Sequence, residues 1–176
     1  MDATRRWVAI NSIYDEKTVT KDMPFGKGVD EALKFIADLG VRYGFEVDRC
    51  DGYATELTIG EGERMIGIFG HADVVPVSGE WKYDPFTPTI EKGKMYGRGT
   101  SDDKGPTIAA IYAAKALKDA GLLRDFKIRI VIGGDEERGS GCLEHYFHKL
   151  NKPYPTYGFT PDSDFPLIYG EKGIIN

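Results

Sequence analysis

Residues 65–76 read Met65-Ile66-Gly67-Ile68-Phe69-Gly70-His71-Ala72-Asp73-Val74-Val75-Pro76. The apolar run over 65–69, broken only by Gly67, predicts a short strand. An imidazole and a carboxylate, His71 and Asp73, stand directly beyond its carboxyl end. The same arrangement recurs downstream. Residues 127–132, with β-branched side chains alternating with charges, predict a second strand, and Glu136-Glu137 follow it. A third strand over 157–160 leads to Asp162 and Asp164. Another acidic pair, Asp102-Asp103, stands just ahead of a helix predicted over 105–120, whose apolar residues include Ile108, Ile111 and Leu117 and which Gly121 closes.

Further out, Ala32, Phe35, Ile36 and Leu39 recur at helical spacing and predict an amphipathic helix over 29–43, stopped by Gly44. Strands over 45–49 and 54–59 flank the turn Asp51-Gly52, and Glu61-Gly62-Glu63 is a second turn. Residues 76–100 read as a long ordered loop punctuated by Pro76, Pro85 and Pro88, with a hairpin through 89–90 and 94–96. Trp81, Tyr83 and Phe86 are expected to pin that loop. A helix over 142–150 and a strand over 167–169 complete the reading. Alternating helices and strands predict an α/β fold, three-layer α/β/α with a mixed, largely parallel sheet, in one domain without repeats or a linker. In such folds ligands bind beyond the carboxyl ends of the strands. Four acidic or histidine clusters converging there are hard to explain by solvation.

Composition narrows the function classes. The 176 residues are 41% hydrophobic and 29% charged, ordinary for a globular protein, with a formal net charge of -5. That balance argues against nucleic acid, which needs a basic surface. No apolar run approaches the roughly 20 residues of a membrane span. The first six residues, MDATRR, lack the apolar stretch of a signal peptide. Cys50 and Cys142 are too few for a disulfide framework and are not at metal-binding spacing. The expectation is a cytoplasmic protein with free thiols. Gly97-Arg98-Gly99 hints at a phosphate loop, but Asp102 stands where a third glycine would be and no Gly-Lys-Ser/Thr follows, so nucleotide binding is discounted. His145 and His148, three apart on a predicted helix, are read as packing or solvated residues.

Carboxylates and a histidine at strand ends suit amide hydrolysis. That reaction needs an activated water, stabilisation of the developing oxyanion and a proton for the leaving amine. Paired zinc ions, held by imidazole and carboxylates, supply the first two. A carboxylate that is not a ligand shuttles the proton.

The spelling sharpens this. Gly70-His71-Ala72-Asp73 is followed by Trp81, Asp84-Pro85-Phe86, Tyr96-Gly97-Arg98-Gly99-Thr100-Ser101-Asp102-Asp103-Lys104-Gly105, Asp135-Glu136-Glu137 and Pro161-Asp162-Ser163-Asp164. This order resembles the zinc metallopeptidase family of carboxypeptidase G, aminoacylase and carnosinase, nearest to its peptidase V (Xaa-His dipeptidase) branch, which Met23-Pro24-Phe25-Gly26 also fits. The resemblance implies that His71 and Asp162 hold one zinc, that Asp102 bridges two, and that Glu137 holds the second. It implies Asp73 as the residue orienting His71 and Glu136 as general base. It also implies a cis bond after the bridging aspartate. Asp164 competes with Asp162, and Asp103 is read as the cap of the following helix.

The family takes a further second-zinc histidine from late in its chain, beyond an inserted lid domain. The histidines here are His71, His145 and His148. The resemblance therefore implies that residues 1–176 are the N-terminal part of the catalytic domain, ending near Glu171–Asn176 where the lid would begin. The expected activity is two-zinc hydrolysis of dipeptides, weak or absent in this fragment. Manganese or cobalt would suit the same ligands. A small peptide is the expected substrate, and homo-oligomerisation is open. An N-acyl amino acid deacylase of the succinyl-diaminopimelate desuccinylase kind would share the same ligands. A non-catalytic metal-binding or interaction module is the reading from another class.

Overall fold

The strand predicted at 65–69 extends from Arg64 to His71, so the imidazole is its last residue rather than part of a following loop. The structure, a computed structural model, describes residues 2–163 and 167–170. In chain order its main elements are α1 (Asp2–Val8), α2 (Lys27–Arg42), β1 (Glu46–Asp48), β2 (Ala54–Gly60), β3 (Arg64–His71), the hairpin β4 (Thr89–Glu91) and β5 (Lys94–Tyr96), α3 (Lys104–Asp119), β6 (Phe126–Gly133), α4 (Gly141–Glu144), a π-helical turn (His145–Lys149) and β7 (Tyr157–Phe159).

Five strands form one mixed sheet in the order β1-β2-β6-β3-β7. β1 with β2 and β2 with β6 are antiparallel; β6 with β3 and β3 with β7 are parallel. The parallel half positions the candidate site. It brings the carboxyl ends of β3, β6 and β7 to one edge, with His71 paired to Gly133 in the β3–β6 register.

Strand alternation makes the three layers. Ile128, Ile130 and Ile132 face the layer of α1, α2 and α3, together with Ile68, Leu57 and Ile59. Val131 faces the other way, into a smaller core with Ala54, Cys50 and Tyr146, against which Phe69 and Phe147 pack. Each fully buried isoleucine contributes about 1.5–3 kcal/mol of transfer free energy, so β6 anchors both layers. α2 buries Val29, Ala32, Leu33, Ile36 and Leu39 along one face. At Gly40 a side chain would meet Leu57 Cδ2 at 2.4 Å, so the helix reaches the sheet only because this residue has no Cβ.

Three details differ from the sequence reading. α1 was not predicted; it is short, without a full periodic repeat, yet it buries Trp7 and Val8 completely. The helix predicted over 142–150 is one α-turn that widens into a π-turn, closed by Leu150 N donating to His145 O over 3.0 Å. Residues 167–169 form no strand: Leu167, Ile168 and Tyr169 are irregular and exposed, so β-propensity there has no ladder to satisfy it. No described helix is long and apolar enough to cross a membrane.

Candidate metal centre

His71 is only 1% exposed, at the end of β3. Its Nδ1 lies 2.9 Å from the backbone oxygen of Asp73 and 3.5 Å from that residue's carboxylate, so the nearer partner is the carbonyl. With Nδ1–H donated there, Nε2 is the nitrogen that faces outward. Facing it are Asp102 Oδ1 at 2.9 Å and Asp162 Oδ2 at 3.4 Å. One ligand atom from each of His71, Asp102 and Asp162 lies within 4.8 Å of the others, the arrangement a single cation fills. Three segments supply them: the end of β3, the loop before α3, and the loop after β7.

The Asp73 carboxylate does a second thing that the sequence reading did not foresee. Its Oδ1 accepts the backbone N–H of Glu136 and its Oδ2 that of Glu137, both at 3.1 Å. It thereby ties the turn after β6 to the turn after β3. Glu136 and Glu137 sit in this turn, outside the tight cluster of three. Burial raises the pKa of both, reinforced by neighbouring carboxylates: Asp162, Asp73 and Asp102 around Glu136, and Asp102 first around Glu137. At His71 burial works against the charged imidazolium, but the Asp73 carboxylate and the charges of Asp103 and Asp162 outweigh it and push the pKa up to about 10. The whole edge is thus an anionic field that favours a cation.

Asp103 does not act as the expected helix cap. It occupies the N-cap position of α3 but makes no side-chain bond to the helix amides. Instead its Oδ2 accepts the Thr107 hydroxyl at 2.8 Å and the His71 backbone N–H at 3.2 Å. Its Oδ1 is buried without a hydrogen-bond partner among the described residues, and burial pushes the group up to about 6. Gly70 leaves room for this contact, since a Cβ there would meet Thr107 Oγ1 at 2.2 Å and Asp103 Oδ2 at 2.6 Å. The Asp102–Asp103 peptide is cis.

Two more residues escaped the sequence reading. Lys104, fully buried, donates from Nζ to the carbonyls of Trp7 (3.2 Å) and Ile10 (2.8 Å). Ser12, also fully buried, donates from Oγ to Ala72 O at 2.6 Å. Their partners are backbone oxygens 60 to 97 residues away in sequence, which no spacing rule reaches. Asp164 lies outside the described residues. His145 stacks on Tyr53 with centroids 3.7 Å apart and meets Asp51 Oδ2 at 3.1 Å, a packing role as expected. Trp81 and Tyr83 brace the 76–100 loop, Trp81 beneath Arg98 and Tyr83 bonded to Glu91.

One imidazole and two carboxylates thus converge from three segments. The family model described as Peptidase family M20/M25/M40 matches residues 67–176, the span that carries every one of these loops. The chain belongs to this family. Members of the M20 family are metal-dependent peptidases. A Bacillus subtilis relative, provisionally named as the dipeptidase YtjP, is 46% identical over 173 residues, which are 98% of this chain and 37% of the relative. The chain thus spans little more than a third of the length of that relative. Among solved structures, an M20 family metallo-carboxypeptidase of Sulfolobus solfataricus superposes with a TM-score of 0.76 at 27% identity, covering 91% of this chain and 36% of that one. Human carnosine dipeptidase 1 superposes with a TM-score of 0.67 at 28% identity, covering 84% and 34%.

Proposed function

We propose that this chain carries the metal-binding half of a dipeptidase centre that hydrolyses small peptides with two zinc ions. The observation that carries the reading is the cluster of His71 Nε2, Asp102 Oδ1 and Asp162 Oδ2 within 4.8 Å, one imidazole and two carboxylates with no protein cation among them. This donor set fits zinc: an imidazole whose Nε2 proton an incoming ion would displace, its other nitrogen beside a carbonyl, plus hard anionic oxygens. His71, Asp102 and Asp162 would hold one ion; Asp102 and Glu137 would share the other. When bound, such a pair polarises a substrate carbonyl and supplies a hydroxide at neutral pH.

The remaining work falls to this chain's own groups. The Asp73 carbonyl holds the His71 ring in one tautomer, and the Asp73 carboxylate holds the Glu136–Glu137 turn at a fixed place beside it. Glu136, on the exposed turn after β6, has its pKa raised by desolvation and by the nearby carboxylates, the direction a general base needs. It would take the proton from the attacking water and deliver it to the leaving nitrogen. The dipeptidase names of the curated relatives support small peptides as substrates of the longer protein.

Donor counting gives a sharper expectation. Zinc in catalytic sites takes three protein ligands and a water. Among the described residues the first position has three and the second has two, so this chain should bind one zinc tightly, bind a second weakly, and turn over dipeptides slowly or not at all. Zinc titration of the metal-stripped chain by calorimetry tests this. One tight site that disappears in His71→Ala supports it; no tight site, or two, would refute the ligand assignment.

A further inference from the structure

We infer that residues 7–14 form a positioning strap for the metal centre, with Ser12 and Lys104 as the residues that fasten it. The inference rests on the metal-centre reading above and adds residues that are neither ligands nor bases. The strap meets three segments near His71: the turn after β3, the start of α3 and the turn after β6. Towards the β3 loop, Ser12 Oγ donates to Ala72 O at 2.6 Å and Val74 N donates back to Ser12 O at 3.2 Å. These bonds bracket Asp73. At the start of α3, the Lys104 ammonium donates to Trp7 O and Ile10 O. This residue is two positions from Asp102. Towards the turn after β6, the Arg138 guanidinium lies 3.5 Å from the centroid of the Tyr14 ring, one residue past Glu137.

Burial makes these contacts stiff. Ser12 and Lys104 are fully buried, and Trp7, which anchors the strap's start by donating Nε1 to Ala32 O at 3.0 Å, is too. A buried ammonium is costly unless its protons are bonded. Here its nearest partners are two carbonyls of the strap, so its burial depends on the strap staying in place. The strap also fills space that a side chain could not share: at Gly28 a Cβ would meet Asn11 O at 2.0 Å. His71, the last residue of β3, and Asp102, two residues ahead of α3, meet at 2.9 Å, and the residues just beyond each are bonded to this one backbone segment. Partners that orient metal ligands typically change affinity by about 10- to 100-fold when removed.

The test compares zinc affinity with stability in the metal-stripped chain. Ser12→Ala and Lys104→Met each remove one fastening; Ile128→Val, at the far end of β6, removes a buried methylene without touching the strap. Measured at a temperature where every variant is folded, Ser12→Ala should weaken zinc binding about tenfold. It should also change the visible absorption of the cobalt(II)-loaded chain, as a misplaced ligand does. Ile128→Val should lower the melting temperature with zinc affinity unchanged. If Ser12→Ala does not fold, Lys104→Met asks the same question from the other loop and should give the same weakening. A wild-type chain that binds no zinc overturns the metal-centre reading and the strap's role together. A wild-type chain that binds zinc, with folded strap variants that bind it equally well, overturns the strap alone.

Discussion

Among the described residues, two groups of charged side chains reach in from the surface to buried partners, Glu56 and His71, and they are built on opposite rules. On the α4 side of the sheet, Glu56 accepts from the Tyr146 hydroxyl and from Lys152 at 3.1 Å, with Arg129 Nε at 3.5 Å, while Asp48 takes a 2.7 Å bond from the same Lys152. Two carboxylates there face two cations and a phenol. At the end of β3, Asp73, Asp102, Asp103, Asp162, Glu136 and Glu137 surround one imidazole, and the nearby Lys104 ammonium turns away to carbonyls. A charge-balanced network explains itself as structure. An unbalanced one stores repulsion that folding alone does not repay, and it is relieved by a cation from outside.

The widest break in this comparison is His71→Ala. It removes the only nitrogen ligand of the cluster, so zinc affinity should fall by more than the roughly 100-fold that a supporting partner can cost. Calorimetry reads this directly, and a variant that keeps its zinc would show that the carboxylates alone suffice. The next effect is on stability. At free zinc near 100 times the dissociation constant, a ligand that binds only the folded chain adds about 2.7 kcal/mol. For a domain of this size that raises the melting temperature by roughly 5–10 °C. A chelator should take the gain away. An unchanged melting temperature would mean that zinc binds the unfolded chain as well, or not at all.

The sequence showed the unbalanced group far better than the balanced one, for a physical reason. His71, Glu136 and Asp162 follow strands, and parallel strands must place their carboxyl ends on one edge, so a run of apolar residues and the next acid locate a site without any contact being known. The layering was legible too, in the alternation around Ile128, Ile130 and Ile132. Pairing direction was not: nothing in residues 54–60 says that β2 runs against β6. Nor were Ser12, Lys104 and the second role of Asp73 legible, because they act on backbone groups, which are the same for every residue. The Glu56 network is invisible for a similar reason. Its members come from β1, β2, β6, the π-turn and residue 152, and apart from Tyr146 each alone reads as a surface charge.

Tyr146→Phe sharpens the contrast at intermediate size. It removes a hydroxyl buried against a carboxylate, a bond worth about 1.5–3 kcal/mol, and leaves the ring in its core. Denaturant unfolding should show that loss while zinc affinity stays within about twofold. A large change in zinc affinity would mean the two groups are coupled through β6. The buried thiols offer a probe of the same region: burial pushes Cys50 up to about 12 and Cys142 up to about 11, so both stay protonated at neutral pH. A thiolate-seeking reagent should therefore label them only as fast as the chain opens, and faster in Tyr146→Phe.

The smallest expected effect lies at the rim of the balanced network. The Lys152 bond and the Cys50 N–H hold the Asp48 carboxyl below its ordinary 3.8, against a smaller opposing push from burial. The folded state therefore favours the charged form. Its contribution is complete above that ordinary value and is lost as pH falls through the lower folded one. Because Asp48 is half-exposed, solvent screens the pair and the effect is modest. Asp48→Asn isolates the charge, since the amide oxygen of the variant still accepts the Cys50 N–H. The wild type should melt slightly higher than the variant at about pH 6, and the gap should narrow as pH falls into the acid range and Asp48 takes up its proton. A gap that persists unchanged in acid would mean that Asp48 acts through packing rather than charge, and that the balance drawn around Glu56 does not extend to its edge.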